Sequence, residues 1–179
     1  MEINKLIIIF DSYKQKKQLL ETIILPYRDF LEGYYSTEIR NKKELKGYEV
    51  IYIGGEKKIL ASNEILSNVS FNKYAVSLDT IEEISHKIPE YITTPHKIVL
   101  MEVGSIFLLS QRFINNLIKA LASDKKAIIF AKKTKEIEFT LKKLDDSLTI
   151  ELTKKTLKDV KKITDKWLGN LINRMEINE

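Results

Sequence analysis

Four short apolar runs punctuate this chain: Leu6–Phe10, Ile98–Met101, Ala127–Ala131 and Leu148–Leu152, each bounded by polar or turn residues. Runs this short and this rich in apolar residues read as buried strands. The segments between them carry helical spacing instead. Leu108-Leu109, Phe113, Leu117 and Leu121 recur every three to four residues and mark one helix face, and Ile137, Leu141 and Leu144 mark another. Val160, Ile163, Trp167, Leu168, Leu171 and Ile172 fall on one side of a last helix, which places Trp167 in the core. Strands alternating with helices predict an α/β fold: a parallel sheet, expected to be five-stranded, flanked by helices on both faces. A further helix is expected from Gln18-Leu19-Leu20 onward, leaving residues 11–17 as the junction after the first strand.

The stretch from Gly33 to Val76 has a different rhythm. Tyr34-Tyr35, Tyr48 to Ile53, Ile59-Leu60-Ala61 and Tyr74-Ala75-Val76 are short β-prone runs separated by turn residues, which predicts antiparallel hairpins. The pair Gly54-Gly55 supplies the positive φ a tight turn needs. Asp79 followed by Glu82 resembles a capping box for a helix ending near Pro89. No repeat, linker or low-complexity tract interrupts the chain. Residues 1–179 therefore read as one domain with a β-rich insertion at about 33–77.

Composition narrows the possibilities. Hydrophobic residues make up 44% and charged residues 31%, and no apolar run approaches the roughly 18–20 residues of a membrane span. Met1-Glu2-Ile3-Asn4-Lys5 leads into only a short apolar run without a small-residue cleavage pattern, so a cytoplasmic protein without membrane association is expected. Cysteine is absent, which excludes disulfides and thiolate metal sites. His86 and His96 show no ligand spacing, so no metal site is expected. Of 30 basic residues 26 are lysine, scattered mostly in pairs, while nucleic-acid readers draw on arginine for base contacts. The net charge of +5 therefore reads as a solvated surface, and nucleic acid is not the expected partner. Abundant Lys, Glu and Ile without Cys suits a thermophile or an AT-rich genome.

Several stretches, in order, carry a family resemblance. They are Gly33-Tyr34-Tyr35-Ser36-Thr37-Glu38-Ile39-Arg40, Lys46-Gly47-Tyr48-Glu49-Val50, Lys73-Tyr74-Ala75-Val76, Val99-Leu100-Met101-Glu102-Val103-Gly104, Leu108-Leu109-Ser110-Gln111-Arg112-Phe113 and Glu151-Leu152-Thr153. Together they resemble the small thermophilic nucleoside-triphosphatase family, whose eukaryotic members are the cancer-related nucleoside triphosphatases. The resemblance implies a P-loop NTPase-like fold, Mg²⁺ as cofactor and ATP or GTP as substrate.

The departures gather where that family does its chemistry. A phosphate loop needs glycines so that backbone N–H groups can face phosphate oxygens, yet all six glycines of this chain lie elsewhere. Aligning Leu19 with the family's leucine puts Lys16 at the phosphate-contacting lysine and Lys17 at the Mg²⁺-binding hydroxyl, while Phe10, Tyr13 and Gln15 replace glycines. The family's metal-binding Asp is Met101, a poor ligand for a hard cation. Its Lys and Glu after the following glycine are Ser105 and Phe107, and its Asn-Arg pair falls about Thr156-Leu157. Glu102 stands where the resemblance implies a water-activating base; alternatively it is a strand-end carboxylate satisfied by neighbouring N–H groups. Arg40 either faces the nucleotide cleft or makes a surface salt bridge on an edge strand. Lys14, Lys16 and Lys17 form a basic cluster that could attract phosphate at a helix start, or simply solvate that helix end.

The favoured expectation is a degenerate relative without Mg²⁺-dependent ATP or GTP hydrolysis, acting as a binding or scaffold protein with an unidentified protein partner. The alternative is a nucleoside triphosphatase or phosphotransferase with a reorganised, weak site built on Lys16, Glu102 and Arg40, and only this reading needs Mg²⁺ and ATP or GTP. A weaker one is an anion- or nucleic-acid-binding module.

Overall fold

The computed structural model describes every residue except 1, 136, 138–140, 142, 143, 178 and 179. Its centre is a run of parallel strands. β1 (Lys5–Phe10) lies between β8 (Ala127–Lys132) and β9 (Ser147–Leu152), and β7 (Ile98–Val103) extends the sheet beyond β8. The first three residues of β2 (Leu31–Asn41) add a fifth parallel strand against β7. The rest of β2 turns antiparallel, pairing with β3 (Glu44–Tyr52), followed outward by β4 (Lys57–Ser62), β6 (Tyr74–Val76) and β5 (Ser70–Phe71). The result is one nine-stranded sheet in the order β5-β6-β4-β3-β2-β7-β8-β1-β9. β1 and β7 are buried at every position, which is why Leu6–Phe10 and Ile98–Met101 within them read as unbroken apolar runs. The five parallel strands and the hairpin insertion are as the sequence predicts, except that β9 is an edge strand on which only Leu152 is buried.

Gly33 is the point where β2 changes partner. Its φ is +118°, and a Cβ there would stand 2.0 Å from the Leu100 carbonyl oxygen of β7. Only glycine permits both that conformation and that approach. Gly54 and Gly55, at φ +115° and +99°, turn the chain between β3 and β4 as their pairing predicts.

Helices cover both faces. α2 (Leu78–Thr93) and α3 (Gln111–Ala122) bury Ile81, Ile84, Ile88, Phe113, Leu117 and Leu121 against Ile7, Met101, Ile129 and the insertion's Tyr34, Val50 and Leu60. Ile137 and Leu141 are helical and buried on this side, with Leu144 packed against them. On the opposite face, α1 (Tyr13–Leu19) and α4 (Leu157–Ile177) close over Leu6, Ile8, Phe10, Leu100 and Phe130. Val160, Leu168, Leu171 and Ile172 form the buried stripe of α4; Trp167 is half-buried on it, while Ile163 turns to solvent.

Three local expectations are corrected. The first helix begins at Tyr13 rather than Gln18, so Asp11 and Ser12 alone separate it from β1. Lys14 to Lys17 are helical, and without glycine nothing holds this segment out of a helix. The cap of α2 is Ser77, whose hydroxyl accepts from the Thr80 N–H at 3.3 Å; Asp79 instead lies in the first turn. α2 also continues through Pro89 to Thr93. Proline has no N–H for the carbonyl four residues back. That carbonyl, Ser85 O, instead accepts from the Asn116 side-chain amide of α3 at 2.7 Å, so the proline leaves no buried acceptor orphaned.

Candidate functional site

The parallel strands end together at their C-terminal side, where the segment after β1 meets the insertion. A cleft of about 480 Å³ opens there, lined in part by Asp11, Lys14, Arg40, Tyr48, Glu102, Ser105 and Lys132. In open α/β sheets this is the usual position of a ligand crevice.

The chemistry beside the cleft is built from β2, β7 and α1. Side chains alternate along β7, so Met101 and Glu102 face opposite sides. Met101 is 1% exposed in the apolar core under α2 and α3. Glu102 faces α1 and is 2% exposed. Lys16, one turn into α1 and 1% exposed, places Nζ 2.6 Å from Glu102 Oε2. Ser36 completes the arrangement: its backbone N–H donates to Oε2 at 2.8 Å, its hydroxyl donates to Oε1 at 2.5 Å, and its carbonyl accepts from Lys16 Nζ at 2.7 Å. Tyr34 OH donates to the Glu102 backbone carbonyl at 2.8 Å, pinning the strand end.

Aromatic rings wall the ammonium. Lys16 Nζ lies 4.6 Å from the Phe10 ring centroid and 4.3 Å from that of Tyr13, a cation–π arrangement stronger for being desolvated. Burial pulls the Lys16 ammonium below the usual lysine range, and the Glu102 charge works against that shift. Burial, reinforced by the same carboxylate, pushes the Tyr13 phenol well up, so it stays protonated. Lys132 pairs with the Asp11 carboxylate at 3.0 Å and with the Asp11 carbonyl, tying the end of β8 across the β1–α1 junction.

The structure therefore separates the residues that the sequence groups together. Lys16 and Glu102 meet, each hydrogen-bonded to the other and to Ser36. Lys14 is exposed on the cleft side, whereas Lys17 is 67% exposed and 3.7 Å from Glu21 on another face. Arg40 lines the cleft as the resemblance implies, and it also makes the surface salt bridge, with Nε 2.7 Å from Glu38. Glu102 accepts from an ammonium, one N–H and one hydroxyl, where the alternative to a base invokes neighbouring N–H groups alone. Tyr13, Tyr34 and Ser36 were not singled out by sequence; their signal is a position beside the aligned lysine or within the family-like stretch after Gly33. Ser105 lines the cleft, Phe107 is buried against Tyr34 and Phe113, and Thr156 forms a reciprocal pair with Thr153 ahead of α4, each hydroxyl accepting from the other's N–H.

The positions that the resemblance assigns to Mg²⁺ and phosphate hold other chemistry here. The two-residue turn has no length to wrap phosphates, and the aligned positions for metal ligands hold an exposed lysine and a core methionine. Among the described residues, no group of three or more carboxylate, histidine or cysteine side chains is placed to hold a metal.

Residues 26–164 match the model of the NTPase family. The chain belongs to this family. The match starts beyond β1 and α1, after the segment that departs most from the family's pattern. Its relatives include the nucleoside-triphosphatase THEP1 of Thermotoga maritima, 30% identical over 126 residues, which cover 69% of this chain and 72% of that protein. The THEP1 of Thermotoga petrophila is also 30% identical, with 69% and 70% covered. Among solved structures, THEP1 from Aquifex aeolicus superposes with a TM-score of 0.73 at 21% identity, covering 90% of this chain and 99% of the other. A human cancer-related nucleoside triphosphatase gives 0.62 at 16% identity, covering 90% and 98%. These two likenesses establish the P-loop NTPase fold. No helix among the described residues is long and apolar enough to cross a membrane.

Proposed function

We propose that this NTPase-family chain does not hydrolyse ATP or GTP with Mg²⁺ and works instead by binding, as a scaffold or adaptor within the cytoplasm. The observation that carries this reading is the Lys16–Glu102 pair at 2.6 Å, both side chains buried. A lysine that neutralises phosphate must be able to reach it, and a general base must reach a positioned water. Here each group holds the other, Ser36 bonds to both, and Tyr13 covers the ammonium. The short β1–α1 turn removes the loop that would present backbone N–H groups to phosphate.

The test is a thermal-unfolding titration with ATP or GTP in the presence of Mg²⁺. Ligand at a hundred times Kd stabilises a protein by about 2.7 kcal/mol. The expected result is no saturable rise in Tm for either nucleotide. A saturable rise in the wild-type protein overturns the proposal.

A second reading has its own support. The 480 Å³ cleft at the strand ends is lined by Lys14, Arg40 and Lys132, charges suited to a phosphate ester. On this reading the chain is a triphosphatase with a reorganised, weak site, and ATP or GTP turnover releases phosphate at a rate that falls on Arg40→Ala.

A further inference from the structure

Three donors converge on the Glu102 carboxylate from two directions. The Lys16 ammonium and the Ser36 N–H reach Oε2 at 2.6 and 2.8 Å, and the Ser36 hydroxyl reaches Oε1 at 2.5 Å. An ammonium, a backbone N–H and a hydroxyl aimed at one pair of oxygens make an oxyanion site, and charge-assisted bonds of this kind are the strong ones. The occupant is the protein's own side chain. Around it the site is dry: Lys16 and Glu102 are 1% and 2% exposed, and Phe10 and Tyr13 flank the ammonium. Glu102 also contributes to the wall of the 480 Å³ cleft, whereas Lys16 lines a separate cavity of about 330 Å³ beyond Tyr13. The ion pair is thus part of the partition between two cavities, and Glu102 is its member on the cleft side.

We propose that Glu102 is a tethered pseudo-ligand: it fills a formed oxyanion site and closes it against small anions entering from the cleft. The inference rests on the reading that phosphate handling has been replaced by an internal ion pair, and it deepens that reading by naming what the site would accept. Deleting the carboxylate leaves three convergent donors and a space continuous with the cleft. Glu102→Ala removes a group the size of acetate, so acetate should re-enter, and inorganic phosphate should reach the same donors from the cleft side.

The experiment compares thermal unfolding of the wild-type protein, Glu102→Ala and Lys16→Met/Glu102→Ala in acetate, phosphate and chloride at matched ionic strength. Glu102→Ala is expected to start at a lower Tm and to recover by about 5 °C or more at a hundredfold excess of acetate or phosphate over Kd. The wild-type protein and the double variant are expected to respond to those anions no more than to chloride. Glu102→Ser also removes the carboxylate and opens the site; should Glu102→Ala not fold, an anion-specific rise in Glu102→Ser serves in its place. The proposal is overturned if no variant gains an anion-specific shift, if the wild-type protein shows the same shift, or if the double variant keeps it. A Mg²⁺-nucleotide response in the wild-type protein would instead overturn the function proposed above, so the two failures are separable.

Discussion

Lys16 and Glu102 show what a buried ion pair does to a protein's options. Removing one partner leaves the other charge desolvated and unpaired, which costs roughly 3–5 kcal/mol, whereas replacing both is far milder. Lys16→Met should therefore destabilise the protein by about that amount in urea unfolding. Lys16→Met/Glu102→Gln should recover most of the loss, because the amide keeps an acceptor for Ser36 without a buried charge. Gly33 sets a second residue-scale constraint. Gly33→Ala forces a Cβ 2.0 Å from Leu100 O at a φ of +118°, so a loss of roughly 3 kcal/mol or more is expected in the same measurement. The requirement for glycine at position 33 was visible only as a motif match, because the carbonyl it must clear lies 67 residues away in sequence, on β7.

Among the elements, α2 is the instructive case. Its sequence carries a proline where periodicity breaks off, yet the helix runs four residues further because Asn116 supplies the missing donor. Asn116→Ala should cost about 1–3 kcal/mol by orphaning the Ser85 carbonyl. Adding Pro89→Ala should return much of that, since an alanine N–H can bond the carbonyl itself; the double-mutant cycle measures the coupling. α2 is also tied to the insertion by charge. Glu83 pairs with Lys58 of β4 and stands 3.2 Å from Lys87. Its hydrogen bond to Lys58 holds the Glu83 carboxyl below the usual carboxylate range. A group with a lowered folded-state pKa contributes stability above its unfolded value, and that contribution disappears as pH falls through the folded one. The Tm gap between wild type and Glu83→Gln should therefore be open at neutral pH and shrink as pH drops below about 4.5.

At the scale of the molecule, one sheet runs through both the parallel centre and the insertion, and β2 belongs to both. A shared strand and a shared core under α2 couple the two parts. Unfolding in urea should then be a single transition, with the same midpoint by fluorescence of the lone Trp167 on α4 and by far-UV circular dichroism of the whole chain. Separate midpoints would show the insertion to be a domain of its own.

Periodicity determined the parallel strands, the helices on each face and the hairpin insertion, because burial writes itself directly into apolar spacing. The missing glycines and Met101 also marked, from sequence, where the chain departs from the family's pattern. What the chain builds there was a tertiary matter. That the segment after Phe10 becomes helix, that Lys16 turns inward rather than to solvent, and that Ser36 and Tyr13 close around it depend on β2 and β7 lying side by side 66 residues apart in the chain. A lone lysine gives no local signal of such burial; only a partner carboxylate brought in by the fold makes it tolerable.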